Sequence, residues 1–467
     1  VIKIDTNITP SELSGSLDTL FSLSGDKIRL LDSEWNPEKG TPVFTVKGKY
    51  TSRGWTEWTQ GFQYGNALYQ YDATGDEWFL RYGRRNTVEK MSPHLTHVGV
   101  HDHGFNNVST YGNLLRLMTE KRIEENSNER EFYRLALKVT GAVQASRWTD
   151  LPDGRGYVPS FNGPHSLFSD TIRSMRALAA AYLLGQHLSG EQDANINLLY
   201  RLLQHADTTA FYNVYYGNGR DSYDERGRVV HESIFNTKSG AYRCPSTQQG
   251  YSPFSTWTRG LSWIVCGYAE ELEFLEILSP DEISGLEYPH LPDMESVKGL
   301  FLKAAKASAD FFIENTPSDG IPYWDTGAPG LHNLGDYLSR PADPFNQFEP
   351  VDSSAAAITA QGLLRLGRYL KAKGEDEPGD RYFQAGLTAA KTLLDEPYLS
   401  ADPSHHGILL HSIYHRPNGW DYIPPESKVP HGESCMWGDY HLMELAVYLK
   451  RMAEEKDYLT FFNIGAR

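Results

Sequence analysis

Two short segments place an aspartate beside groups able to move a proton. The first is His101-Asp102-His103-Gly104-Phe105, at the head of an apolar run. By itself it reads as a helix entry, with an Asp near the N-terminus and Gly104 easing the turn. Two histidines flanking an Asp also raise the question of a metal. Histidines at i and i+2 without a further His, Cys or Glu cluster are a weak metal pattern, so no metal is expected. The second segment is Ser169-Asp170-Thr171, which opens the most regular helical run in the chain: Ile172, Met175, Leu178, Ala179, Tyr182 and Leu183, spaced by three and four. Ser169 or Asp170 is a natural cap there, and a carboxylate at a helix N-terminus is held ionised. A general acid needs the opposite. Burial or a second carboxylate nearby would keep the proton on Asp170, and Asp102 is the candidate for that second group.

Two further segments carry polar chemistry. Thr247-Gln248-Gln249-Gly250-Tyr251-Ser252 leads into Trp257-Thr258-Arg259-Gly260-Leu261-Ser262-Trp263, with His231 in the same long loop. Arg259 is placed to pair in bidentate fashion with a ligand carboxylate, or with an acidic neighbour of its own. Val351-Asp352-Ser353-Ser354-Ala355-Ala356-Ala357-Ile358 reads first as a helix cap, followed by small residues that let helices approach closely.

The elements that must position these groups are helices. Helical periodicity recurs near 10–23, 61–72, 76–90, 105–120, 129–146, 172–183, 193–208, 258–276, 296–314, 353–371, 379–395 and 434–452. Short strands are expected only at Val43–Val46 with Lys49 and Tyr50, and at Arg228–Val230. No Pro/Gly/Ser linker separates two cores. Alternation of helices with long and short connections suits paired helices in a ring, whose loops surround a cavity at one end. The loops 147–167, 210–256 and 315–352 are long enough to be expected to carry function.

With 467 residues, 40% of them hydrophobic, the chain has ample material for a large core. Its formal net charge of −16 argues against nucleic acid and anionic membrane surfaces as partners. No stretch is long and apolar enough to span a membrane. Three cysteines, Cys244, Cys266 and Cys435, imply no disulfide framework. The chain opens on Val1 without a basic, apolar leader, as expected where a leader has been removed or an end trimmed. Aromatic residues are abundant, with 28 Tyr, 20 Phe and 10 Trp. Composition favours a core role for them over stacking against pyranose faces.

Taken in order, the segments resemble the unsaturated glucuronyl hydrolases, glycoside hydrolase family 88. The likeness begins at Trp58-Thr59-Gln60-Gly61-Phe62 and Thr74-Gly75-Asp76-Glu77 and passes through His101–Phe105 and the helix opened by Asp170. It continues with Gln249-Gly250-Tyr251-Ser252, Trp257, Arg259-Gly260, Trp263 and Tyr323-Trp324-Asp325, and ends with Asp352–Ala357 and Trp437-Gly438-Asp439-Tyr440, spanning roughly 55–450. The resemblance implies an all-α fold, an (α/α)6 barrel or six-hairpin toroid, as one catalytic domain over 55–467. The segment 1–54 would place a helix against it. Asp170 would be the general acid and then base, with Asp102 the second essential carboxylate. His231, Gln249, Arg259, Trp263, Trp58, Phe62 and His101 would contact or position the substrate. No cofactor is implied.

The activity implied is removal of a 4,5-unsaturated glucuronyl residue from lyase-generated oligosaccharides. The partner would then be an unsaturated uronic-acid oligosaccharide. Asp170 would have to be protonated, through burial and the charge of Asp102. The chain departs from the family pattern at Gln63, Arg173, Ser174 and Gln248 and in the 331–350 loop, changes expected around the rim and the neighbouring subsites. A role downstream of a lyase fits a bacterial periplasm or secretion, while unpaired cysteines suit the cytoplasm equally. Three other readings compete: an unsaturated rhamnogalacturonyl hydrolase; a silent glycan-binding protein on the same fold, against which the presence of both aspartates argues; and a polysaccharide lyase, which would need a Tyr, His or Arg set to neutralise and deprotonate at C5.

Overall fold

The structure is a computed structural model and describes residues 1–54 and 58–464. Six helices are buried over most of their circumference, and six others bury one stripe. That difference sorts them into an inner and an outer ring. The inner helices are α2 (Gln60–Thr74), α4, α6, α8 (Thr258–Leu275), α10 (Ser353–Ala372) and α12 (Met436–Ala453). α4 runs His103–Asn107, passes through a π turn at Val108–Gly112 and resumes over Asn113–Thr119. α6 runs Thr171–Ser174 and then Arg176–Leu183, with Met175 between them keeping helical angles. The outer helices are α1 (Ser14–Glu34), α3 (Glu77–Lys90), α5 (Ser127–Ser146), α7 (Leu198–Tyr212), α9 (Met294–Glu314) and α11 (Asp376–Leu393).

Each inner helix packs on the next, from α2 through α4, α6, α8 and α10 to α12, and α12 closes on α2. The result is an (α/α)6 barrel. α1 contacts both α2 and α12, so the first 54 residues supply the sixth outer helix of the ring. The expected boundary after residue 54 falls at 55–57, which lie outside the described residues, as do 465–467.

Local chemistry explains the helix starts. Asp76, Asn126, Asn197, Asp293 and Asp352 each accept a backbone N–H in the first turn of the helix they precede. Small residues set the inner spacing: a Cβ on Gly362 of α10 would lie 2.8 Å from the backbone of Cys266 in α8. Polar side chains meet inside the ring, where Arg173 and Arg176 lie 2.9 and 3.4 Å from Glu444, all without exposure.

Two small sheets position the site. β1 (Pro42–Val46) and β2 (Lys49–Ser52) form an antiparallel hairpin, turned at Lys47 and Gly48, both at positive φ. The hairpin is tied to the barrel by Thr45, whose N–H donates to the Ser434 carbonyl. A three-stranded antiparallel sheet has the order β3 (Ser166–Phe168), β4 (Glu232–Phe235), β5 (Tyr242–Ser246). The strand expected at Arg228–Val230 is displaced to β4, because Val229 makes only an isolated bridge to Val214. Among the described residues no helix is long and apolar enough to cross a membrane.

Candidate active site

The three-stranded sheet delivers three of the expected residues together. β3 runs directly into Ser169 and Asp170, and the Ser169 N–H donates to the His231 carbonyl at 2.8 Å. β4 begins right after His231, and β5 ends at Ser246, one residue before Thr247-Gln248-Gln249. The second aspartate arrives from α4. Gly104 lies so close to α6 that a Cβ there would fall 2.3 Å from the Ser174 carbonyl oxygen. Its N–H donates to Ser174 Oγ (2.9 Å), and Ser174 Oγ donates to the His101 carbonyl (2.6 Å). The glycine in the first segment is therefore required by close packing of two backbones.

Asp102 and Asp170 both occupy N-cap positions, yet neither side chain makes a capping hydrogen bond. The capping reading fails for both, and their carboxylates are left for the cavity. His101 joins them: its Nε2 is 3.3 Å from Asp170 Oδ2 and 3.6 Å from Asp102 Oδ1. Phe161 stacks over the imidazole at 6.2 Å and Phe168 meets it edge-on at 5.6 Å.

The electrostatics of this trio differ from the sequence expectation. Burial pushes Asp170 up, but the hydrogen bond and charge of His101, with His231, outweigh it and hold Asp170 below the usual carboxylate range. Burial raises Asp102, only partly offset by His101, and the Asp170 charge adds to the rise. Burial lowers His101, but Asp102 and Asp170 more than reverse this, and it is raised. The trio thus favours the proton on His101 over Asp170, with Asp102 as the second carboxylate facing the imidazole.

A cavity of about 790 Å³ opens above these groups, within the range of small-ligand sites. Asp102, Asp170, His101, Gln249, Trp263 and Trp58 line it, as does Arg259. Arg259 is not available to a ligand carboxylate. One terminal nitrogen donates to Asp352 Oδ2 (2.6 Å) and to the Ile413 carbonyl. The other donates to Gln249 Oε1 (2.9 Å) and the Tyr414 carbonyl (2.8 Å). Trp257 and Trp437 flank the guanidinium at 4.6 and 4.9 Å. Arg259 therefore pairs with an acidic neighbour and fixes Gln249, whose Nε2 is left as a donor at the cavity wall.

Two other expected contact residues lie behind the wall. Phe62 is fully buried against Trp58, Phe105 and Tyr440, so it supports Trp58 instead of touching a ligand. His231 is 3% exposed and sits behind Phe168 and Trp257, with ring centroids at 4.4 and 4.6 Å. Its Nδ1 accepts the N–H of Gln248 (3.1 Å), which puts the ring proton on Nε2, and that atom has no partner. Burial holds the imidazole neutral, lowered to about 4.

Of the three long loops, 147–167 brings Phe161 to the cavity and 210–256 brings Gln248 and Gln249. The loop 315–352 does not reach it. It braces the neighbouring loop, with Asp325 accepting the Tyr251 N–H at 2.8 Å. Among the family departures only Gln248 lines the cavity. The connection between α11 and α12, unmarked in the sequence reading, supplies Tyr414, His415, Asn418 and Trp420, and Arg53 enters beside them from the end of β2. These residues fall in irregular stretches without periodicity, and only the density of aromatic and amide side chains could have marked them. Among the described residues no group of three or more His, Cys, Asp or Glu side chains is placed to hold a metal ion.

No family model matches the chain. It is similar to the unsaturated glucuronyl hydrolase of Bacillus sp. (strain GL1), 26% identical over 408 residues, covering 86% of this chain and 89% of the relative. The unsaturated glucuronyl hydrolase of Formosa agariphila is 25% identical over 392 residues, covering 83% of this chain and 78% of the relative. Among solved structures, an unsaturated glucuronyl hydrolase from Streptococcus agalactiae superposes with a TM-score of 0.68 at 20% identity over 98% of both chains. Fold and relatives together define the class, a glycoside hydrolase on an (α/α)6 barrel. Within that class the chain resembles the unsaturated glucuronyl hydrolases and is GH88-like.

Proposed function

We propose that the chain hydrates the C4=C5 double bond of a 4,5-unsaturated uronic acid at the non-reducing end of a lyase-generated oligosaccharide, and so releases that residue. The observation that supports this reading is the pair of uncapping aspartates joined through His101 at the floor of an aromatic-walled cavity. The substrate is a vinyl ether, with the ring oxygen and the carboxylate both on C5. Protonation at C4 places positive charge on C5 and the ring oxygen. Water adds at C5 and gives its proton to the same carboxylate that acted as acid. The hemiketal then opens and expels the leaving sugar. The anomeric carbon is never attacked, so the spacing of the two carboxyls does not dictate a stereochemical outcome.

Asp170 is the acid and then the base, and His101 is its proton source. The hydrogen bond and charge of His101 favour the ionised form of Asp170. A bound uronate brings a further negative charge into a buried space, and like charge raises the proton affinity of a carboxylate. The proton then moves from His101 Nε2 across 3.3 Å to Asp170 Oδ2. Asp102, 3.6 Å from the same nitrogen, stabilises the imidazolium whenever the proton returns. Trp58 and Trp263 face the flat unsaturated ring, and the Gln249 amide donates to it.

The test is the ultraviolet absorbance of a panel of unsaturated disaccharides, which the hydration destroys. Wild type should bleach the signal, and Asp170→Asn should do so about 10²–10⁴-fold more slowly, the usual share of a general acid–base group. Near-normal turnover by Asp170→Asn would end the assignment. Rising absorbance on intact polymer would make the chain a lyase.

A further inference from the structure

One cation at the cavity has no acidic partner among the described residues. Arg53 follows the last residue of β2, is exposed, and lines the cavity where it opens to solvent. Its guanidinium lies 3.8 Å over the Trp420 ring, with Phe44 and Tyr414 at 5.6 and 5.8 Å. Among the described residues it makes no ion pair and no hydrogen bond. Arg259, the other arginine of the wall, has both terminal nitrogens engaged by Asp352, Gln249 and two carbonyls. His415 beside it is held neutral by burial, lowered to about 4. In a chain of net charge −16, a rim arginine without an acidic partner among the described residues is set apart from its surroundings.

Arg53 is also held in place. Three rings lie within 6 Å of the guanidinium, Trp420 the nearest. Such pre-organisation reduces the ordering cost of a bound anion, and the planar fork suits two oxygens of one acidic group. Its position relative to the chemistry gives the subsite. Asp102 and Asp170 are buried at the floor, whereas Arg53 and Asn418 are exposed at the opening. Trp420 and Arg53 stand at this opening, one side of the way out for a saccharide whose terminal ring reaches the aspartates.

Resting on the reading of the site given above, we propose that Arg53 recognises an anionic substituent, a sulfate ester or a carboxylate, on the sugar next to the unsaturated ring. Asn418 is its neutral neighbour at the same opening. Arg53 is then a specificity residue for the leaving sugar and takes no part in proton transfer.

The experiment compares wild type, Arg53→Gln and Arg53→Lys on three unsaturated disaccharides whose leaving sugars are unsubstituted, sulfated or carboxylated. kcat/KM is read from loss of absorbance. Arg53→Gln should lower kcat/KM about tenfold on the sulfated or the carboxylated substrate, through KM, as expected of one charge-assisted contact at a partly screened rim. The unsubstituted substrate should be unaffected, and Arg53→Lys should recover part of the loss. Whichever acidic substrate shows the loss identifies the group recognised. Equal losses on all three substrates, or none, would overturn the proposal. Binding of the same disaccharides to the Asp170→Asn protein, with and without Arg53→Gln, is measured by calorimetry. If wild type turns over no substrate, the hydrolase reading fails, while a charge-selective loss of binding still supports Arg53. Binding that does not depend on Arg53 refutes it.

Discussion

Replacing Gly104 by alanine tests how the two aspartates are brought together. A Cβ at this position meets the Ser174 carbonyl oxygen at 2.3 Å and the Ser174 Cα at 2.6 Å, both backbone atoms that cannot rotate away. Restoring ordinary contact requires α4 and α6 to separate by about 1 Å, and overpacking of this kind typically costs about 1–3 kcal/mol. Two hydrogen bonds across the contact are stretched as well, from the Gly104 N–H to Ser174 Oγ and from Arg176 Nε to the Gly104 carbonyl. The same displacement carries Asp102 and His101 away from Asp170. A misplacement of about 1 Å in a catalytic group costs about a hundredfold in rate. Gly104→Ala should therefore lower the melting temperature and reduce kcat/KM about a hundredfold. Gly299→Ala serves as control, since no atom lies within 4 Å of its Cβ on α9. In a helix interior that change should hold or raise stability by about 0.5–1 kcal/mol. A Gly104→Ala protein with wild-type melting and turnover would refute the claim that backbone contact sets the distance between the carboxylates.

The pH profile should follow the trio. His101 is raised, so its charge and the stability it draws from the aspartates are complete at low pH and lost as pH rises through its folded-state titration. Asp170 is lowered, so its share is complete above the ordinary carboxylate range and lost as pH falls through its lowered titration. Activity should thus fall as pH rises through His101. In Asp102→Asn, which removes the leading cause of the rise at His101, the alkaline limb of kcat/KM should move to lower pH. An unmoved limb would assign the proton elsewhere. Arg259→Ala should act on stability, because it leaves the fully buried Asp352 carboxylate without its partner, at a cost of about 3–5 kcal/mol. Urea unfolding measures this, and a change in KM alone with unchanged stability would restore Arg259 to direct substrate binding.

Much of the ring was legible because apolar spacing of three and four marks each helix, and all twelve expected runs overlap observed helices. Asp102, Asp170, Gln249, Trp58, Trp263 and His101, far apart in the chain, line one cavity. Arg259 and His231 were read with the right neighbourhood and the wrong orientation. Sequence spacing cannot tell whether a guanidinium faces the cavity or the carboxylate behind it. That choice depends on Asp352, 93 residues away in the chain. Protonation was misread for the same reason: burial of Asp170 was foreseeable, but the position of the His101 Nε2 between the two carboxylates is tertiary information. Arg53 and the residues around Trp420 lie in irregular connections, where no period announces which side chains converge.

The polar groups of this site separate by whether their hydrogen bonding is complete. Asp352 caps α10 and holds Arg259, and both terminal nitrogens of that guanidinium are engaged. Such closed networks hold loops in place and leave nothing to offer a ligand. Asp170 Oδ1, His101 Nδ1, Ser169 Oγ and His231 Nε2 are buried and have no partner among the described residues. Buried polar atoms left in this state cost stability, and those that belong to the proposed catalytic groups call for an explanation other than folding. Asp170 Oδ1 is one of them, and Asp170 also forgoes the cap that its position offers. A fold that gives up these interactions around Asp170 has reserved them for atoms that arrive with the substrate. Asp170→Asn should therefore cost far less stability than activity, and a variant equally impaired in both would make Asp170 a structural residue.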